Sequence, residues 1–143
     1  MLGVRIVEAL SGGCLCEAVQ YRITLPLLDA GYCHCRLCQK SSGAPVLVWL
    51  TVPVQGFSYT KGVPVTFRSS SYSQREFCGG CGTQLVFRKS SMPKTVDVTV
   101  ASLADPSRVA PEYHIWRHSR IGWFDTADWL PRHDDNGPDN HEA

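Results

Sequence analysis

The 143-residue chain has no block of like charge: 14 Lys and Arg stand against 13 Asp and Glu, a formal net charge of +1. It therefore lacks the electrostatic footprint of a duplex binder, and no nucleic-acid partner is expected. It has no long apolar run either. The longest, Pro45–Leu50, is far short of the roughly 20 residues that a membrane-spanning helix needs, so no membrane partner is expected. The first ten residues do not read as a signal peptide, because Glu8 interrupts the apolar stretch and no small-residue cleavage pattern follows. A cytoplasmic location is the expectation. Internal repeats and low-complexity tracts are missing. Long helical periods are missing too, and nine prolines argue against them. With 43% hydrophobic and 19% charged residues, the composition is that of a soluble globular chain of one domain.

What the chain does have is cysteine. Seven fall in three tight groups: Cys14 and Cys16; Cys33, Cys35 and Cys38; Cys78 and Cys81. A lone cysteine is usually a small buried hydrophobe, but spacings of one or two residues are those of metal ligands. A reducing compartment and an odd count both argue against a closed disulfide framework.

The remaining signals are β. Apolar and polar residues alternate at Val4–Glu8, Ala18–Ile23, Val63–Arg68 and, most clearly, Thr95–Ala101. Gly12-Gly13, Lys61-Gly62, Gly79-Gly80 and Gly82 punctuate these runs and read as turns. One short helix is predicted over Arg36–Ser42, just after the second cysteine group, with Gly43-Ala44-Pro45 ending it. Residues 134–143 (DDNGPDNHEA) are polar and read as a frayed tail, leaving residues 1–133 as a single domain. The expected architecture is a mainly β, zinc-stabilised antiparallel domain.

A CxC and a CxxC segment can each aim two thiolates at one metal, and two such segments complete a tetrahedron. Cys14, Cys16, Cys78 and Cys81 make such a closed, structural set, with Gly79 and Gly80 expected to supply positive φ at the turn. Cys33, Cys35 and Cys38 lie within six residues and can form a tripod whose fourth position stays open, as a catalytic zinc requires. Two Zn2+ per chain follow. A zinc ribbon on Cys35, Cys38, Cys78 and Cys81 is the competing division. The 39 residues between its halves far exceed the ~15–20 of that motif.

These blocks carry a resemblance. GGCLCEAVQY, CHCRLCQKSSGAP and REFCGGCGTQLVF, followed by HIWRHSRIGWFDTADWLP, resemble the sequence blocks of the glutathione-dependent formaldehyde-activating enzyme family. The resemblance implies a β-tent-type fold, with a structural zinc on Cys14, Cys16, Cys78 and Cys81 and a catalytic zinc on Cys33, Cys35 and Cys38. It also implies a carbon–sulfur lyase that joins glutathione, or a similar thiol, to formaldehyde or another small aldehyde as an S-hydroxymethylglutathione-type adduct.

Outside the thiols the reading is thinner. His34 is expected to point outward from its CxC turn. His114 is a candidate proton donor, although its surroundings also suit an aromatic flap. Trp116, Trp123 and Trp129 are expected in the core or a lid, and Asp125 and Asp128 in turns or caps. Arg36, Lys40, Arg75, Arg88, Arg117 and Arg120 can each bind a carboxylate. Arg36 and Lys40, nearest the tripod in sequence, lead as substrate-binding candidates. The rival reading is a non-catalytic zinc module for protein or RNA interaction. A zinc deaminase is excluded, because Arg36 stands where a glutamate is needed and Phe77, not proline, precedes Cys78.

Overall fold

The computed structural model describes residues 9–24 and 26–137. The alternating segment at Val4–Glu8 lies outside them, as do residues 138–143 of the tail. The described start of the tail is hydrogen-bonded: Trp116 N donates to the Asp135 carbonyl at 2.8 Å.

Two sheets build the molecule. Strands β1 (Leu10–Gly13), β2 (Gln20–Ile23) and β5 (Phe57–Lys61) form a three-stranded antiparallel sheet in the order β1-β2-β5. The larger sheet holds β3 (Asp29–Cys33), β4 (Leu47–Pro53), β6 (Val65–Ser70), β7 (Ser73–Phe77), β8 (Gln84–Lys89), β9 (Thr95–Thr99) and β10 (His114–Ile115). Its order is β10-β3-β4-β9-β8-β7-β6, antiparallel throughout except where β10 runs parallel to β3. The mainly β class with antiparallel sheets matches the expectation from sequence, and so does the single helix α1, at Arg36–Ser42.

The period of two divides the large sheet into unlike faces. Leu50 pairs with Val98 and Val52 with Val96. These residues join Tyr21, Ile23, Leu85 and Val86 in one buried apolar cluster between the sheets. Full burial stabilises each such side chain by about 1.5–3 kcal/mol. The residues between them, Trp49, Thr51, Asp97 and Phe87, face the other way and floor a cavity.

Two glycine readings change. Gly12-Gly13 is not a turn but the end of β1. A Cβ on Gly12 would lie 2.3 Å from Tyr21 Oη, so the strand needs glycine for close approach, not for a bend. The positive φ near the third cysteine group lies at Gly82 (82°), not at Gly79 or Gly80. There the chain reverses, and Gly82 N donates to the Cys78 carbonyl at 2.8 Å.

Candidate metal centres and an adjoining cavity

The thiols assemble as two groups, Cys14/Cys16/Cys78/Cys81 and Cys33/Cys35/Cys38, with the sulfurs of each group within 4.8 Å of one another. Four thiolates around zinc at ~2.3 Å stand about 3.8 Å apart. The Cys14–Cys16 and Cys16–Cys78 sulfur separations are both 3.7 Å. The mixed ribbon pairing is not formed. Backbone amides point at the sulfurs, from Val19 to Cys14 at 3.2 Å and from Gly80 to Cys78 at 3.3 Å. Thr83 ties the two knuckles together, contacting Cys81 Sγ at 3.3 Å while its Oγ1 accepts from Leu15 N at 3.0 Å. Its hydroxyl and backbone bring the Cys81 thiol down to about 5. The chemistry of this donor set fits zinc.

The tripod forms because β3 delivers Cys33 at its end, Cys35 caps α1 and Cys38 sits in the first turn. Cys35 Sγ accepts from Cys38 N at 3.3 Å, and Cys33 and Cys38 sulfurs lie 3.5 Å apart. Seven residues are too few for a stable isolated helix. Gln39 anchors this one by donating to the His34 carbonyl at 2.8 Å and to that of Ser119 at 3.2 Å. Contacts from Cys33 and Cys38 push the Cys35 thiol down, and those from Cys35 push Cys33 up. One thiol of the crowded set ionises at its neighbours' expense.

Arg75 supplies the electrostatic test of this set. It is 5% exposed, and both its terminal nitrogens lie 3.9 Å from Cys38 Sγ. Among the described residues it meets no carboxylate; Gln84 and Ser41 accept from it at 2.8 and 3.2 Å. A buried cation needs a negative partner, and the thiols supply it as thiolates. Trp49 Nε1 also donates to Cys38 Sγ, at 3.4 Å. The donor set therefore fits a bound divalent metal.

All three tripod residues open onto a cavity of about 320 Å³ whose walls include Trp49, Phe87, Tyr113, Trp116, Arg75, Lys89 and Asp97. Arg36 and Lys40 are both exposed and are not among its walls. Arg36 donates to Gln39 Oε1 at 2.6 Å. Lys40 borders a neighbouring groove with Leu37 and Phe67. That groove shares Leu37 and Arg75 with the tripod cavity.

His34 does not point outward. Its ring is wholly buried, as is that of His114, and Nε2 of one meets Nδ1 of the other at 2.9 Å. His114 stacks on Tyr32 with centroids 4.5 Å apart, and its Nε2 lies 3.3 Å from both carboxylate oxygens of Asp128. Burial lowers His34 to about 4, with the charge of Arg117 acting the same way. Burial also lowers His114, against the pull of Asp128. Both rings are neutral at neutral pH, and neither lines the cavity. Asp128 does hold a turn, accepting from Leu130 N at 3.0 Å, but it also binds Arg132 at 3.0 Å.

Trp116 lines the cavity, with a left-handed backbone at φ 57°. Trp123 and Trp129 are 77% and 101% exposed, not core. Sequence reasoning did not single out Trp49, Phe87, Lys89, Asp97 or Tyr113. Asp97 carried a signal, as the single charge inside the alternating valines of β9.

A β domain with one thiol set tying distant strands and a second opening onto a cavity defines a class: a cysteine-rich, metal-site fold with room for a small molecule. The family described as "Glutathione-dependent formaldehyde-activating enzyme" matches residues 9–119. The chain belongs to that family. It is 31% identical over 83 residues to an uncharacterized lyase of Schizosaccharomyces pombe, an alignment covering 53% of this chain and 55% of the relative. The chain thus spans about half the length of that relative. A crystal structure of a Rhodobacter sphaeroides protein superposes with a TM-score of 0.58 at 23% identity, covering 85% of this chain and 98% of that one. The shared feature there is the fold.

Proposed function

We propose that the chain is a zinc-dependent carbon–sulfur lyase that joins glutathione or a similar thiol to a small aldehyde such as formaldehyde, and splits the adduct in reverse. The observation that carries this reading is the opening of three thiols, and a buried arginine, onto one cavity. Family membership supports it. Cys14, Cys16, Cys78 and Cys81 hold one zinc and Cys33, Cys35 and Cys38 the other. A zinc at the tripod would supply a positive centre that keeps an incoming thiol deprotonated.

The chain's own residues do the rest. Trp49 and Phe87 give the cavity apolar walls that exclude water. Arg75 offsets the negative charge gathered on the tripod. The substrate sulfur attacks the aldehyde carbon; the S–C bond forms, the carbonyl π pair moves to oxygen, and that oxygen takes up the proton the thiol lost. His114 sits behind the CxC loop and supports it through His34, so we assign that proton to water. Residues 1–133 form the functional domain, and a reducing compartment such as the cytoplasm suits its thiols.

Cobalt substitution tests this. Adding millimolar glutathione should increase the thiolate-to-cobalt charge-transfer absorption, and Cys38→Ser should abolish the increment while the four-thiolate signal remains. An unchanged spectrum removes glutathione as the substrate. A second reading, a module for protein or RNA interaction, draws on the exposed Trp123 and Trp129. Salt-sensitive RNA retention lost in Trp123→Ala/Trp129→Ala would favour it.

A further inference from the structure

We propose that the groove beside the tripod cavity is a subsite for the substituent of the aldehyde, an apolar chain that ends in a carboxylate. Leu37, Phe67 and Phe77 hold the chain and Lys40 meets the acid. This rests on the carbon–sulfur reading above and names the part of the second substrate that does not react.

The groove is a helix stripe laid over a sheet edge. Leu37, Lys40 and Ser41 are three and four residues apart on α1, so they share one of its faces. Phe67 on β6 pairs with Arg75 on β7, and Phe77 lies two residues beyond Arg75, so these three share one face of the large sheet. The six side chains line a groove of about 470 Å³, within the ~300–1,000 Å³ range of ligand sites.

Three observations point to a ligand there. Leu37 is 57% and Phe67 62% exposed, and neither they nor Phe77 belong to the buried apolar clusters. Large apolar side chains gathered in a concavity mark a binding surface. Leu37 and Arg75 wall the tripod cavity as well as the groove, so a molecule whose carbonyl lies at the tripod can extend past Leu37. The charges in the groove are all positive: no carboxylate is among its described walls. Arg75 is engaged with Cys38, Ser41 and Gln84, whereas Lys40 is exposed and makes no ion pair among the described residues.

The aldehyde, not the thiol, fits this surface. A glutathione-like thiol is polar along its length, and apolar walls disfavour polar groups that they cannot hydrogen-bond. The aldehyde brings only its carbonyl to the sulfur. The bond changes are those given above, with the S–C bond formed, the π pair moved to oxygen and the thiol proton taken up there; no oxidant or reductant enters. A six-carbon ω-oxo acid spans roughly 6 Å between its terminal carbons, from C–C bonds of about 1.5 Å. Lys40 lies about 4.5 Å beyond Leu37 along the helix axis, so a chain of that length that passes Leu37 reaches it. Formaldehyde has no chain and engages neither Phe67 nor Lys40.

The test uses the zinc-loaded full chain with glutathione and compares kcat/KM for 6-oxohexanoate, hexanal and formaldehyde. In Phe67→Ala the hexanal to formaldehyde ratio should fall about tenfold, the low end for apolar contacts in a pocket. In Lys40→Met the 6-oxohexanoate to hexanal ratio should fall about threefold, because an exposed ion pair is screened. Titration with hexanoate, which has the chain and the acid but no aldehyde, gives a readout free of turnover. Millimolar hexanoate should shift the amide resonances of Leu37, Phe67 and Phe77 in wild type and leave those of Leu37 and Phe77 unmoved in Phe67→Ala. Ratios that stay constant in both variants, shifts confined to residues 33–38, or a dimer that Phe67→Ala dissociates would overturn the subsite while thiol chemistry stands. Silence from every aldehyde, in turnover and in the cobalt spectrum with glutathione, overturns the functional reading and the subsite with it.

Discussion

His34 and His114, 80 residues apart in sequence, share a buried hydrogen bond of 2.9 Å between Nε2 and Nδ1. The network fixes the tautomers. Asp128 accepts from His114 Nε2–H, so His114 Nδ1 is a bare acceptor and His34 Nε2–H donates to it. His34 Nδ1 is then a lone pair without a hydrogen-bond partner among the described residues. The stack pins the loop between Cys33 and Cys35 to β10, whose far edge is held by residues 131–133, with His114 N donating to the Pro131 carbonyl at 2.8 Å.

From this relationship, His114→Ala should weaken metal retention at the tripod by about 10–100-fold, the usual cost of losing a group that orients a ligand. Chelator competition on the cobalt protein should show the loss at the tripod only. Equal loss at both sites would mean that the histidine stack serves global stability instead.

Cys81→Ser should unfold or aggregate the domain, whereas Cys35→Ser should leave it folded and inactive. The four-thiol set ties Cys16 to Cys78 across 62 residues, and binding at such sites is worth roughly 10–16 kcal/mol in zinc-finger peptides. The tripod constrains only a helix and the end of one strand. Metal analysis should find two zinc ions in wild type and one in Cys35→Ser. Thermal melts ranked the other way would reverse the roles assigned to the two sets.

Gly12→Ala should destabilise the fold by about 1–3 kcal/mol through overpacking, because its Cβ meets Tyr21 Oη at 2.3 Å and the Ser102 carbonyl at 2.6 Å. Gly82→Ala should cost about 1–2 kcal/mol for a different reason: space is open there, but the backbone is left-handed. Adding Tyr21→Phe, which removes the nearest clashing atom, should recover part of the first loss and none of the second in a denaturant double-mutant cycle.

Acid sensitivity should be traceable to Glu76. Burial alone would raise its carboxyl, but Arg88, at 2.6 Å, and the Tyr59 hydroxyl, at 2.7 Å, outweigh burial and hold it below its ordinary 4.5. The folded state therefore binds its proton less readily than the unfolded state. The stabilisation is fully present above pH 4.5 and is lost as pH falls through the folded value. The stability difference between wild type and Glu76→Gln, from urea midpoints at matched zinc, should shrink as pH falls below 4.5. A difference that does not change with pH would assign the effect to packing.

The sequence by itself determined the thiol groups, the helix at Arg36–Ser42 and the β class. These depend on local spacing: a CxC turn, a cap and an alternation of two are written within a few residues. It also narrowed the pairing of cysteine groups, because a tripod within six residues needs no distant partner. Tertiary structure alone decided what surrounds the tripod. Arg75, Lys89 and Asp97 come from three neighbouring strands and meet at the cavity only through register, which no local pattern encodes. Arg36 and Lys40, nearest the tripod in sequence, are exposed and do not line that cavity. His114 reads as a flap residue until β10 is laid parallel to β3, a long-range pairing that turns an apparent surface histidine into the support for His34.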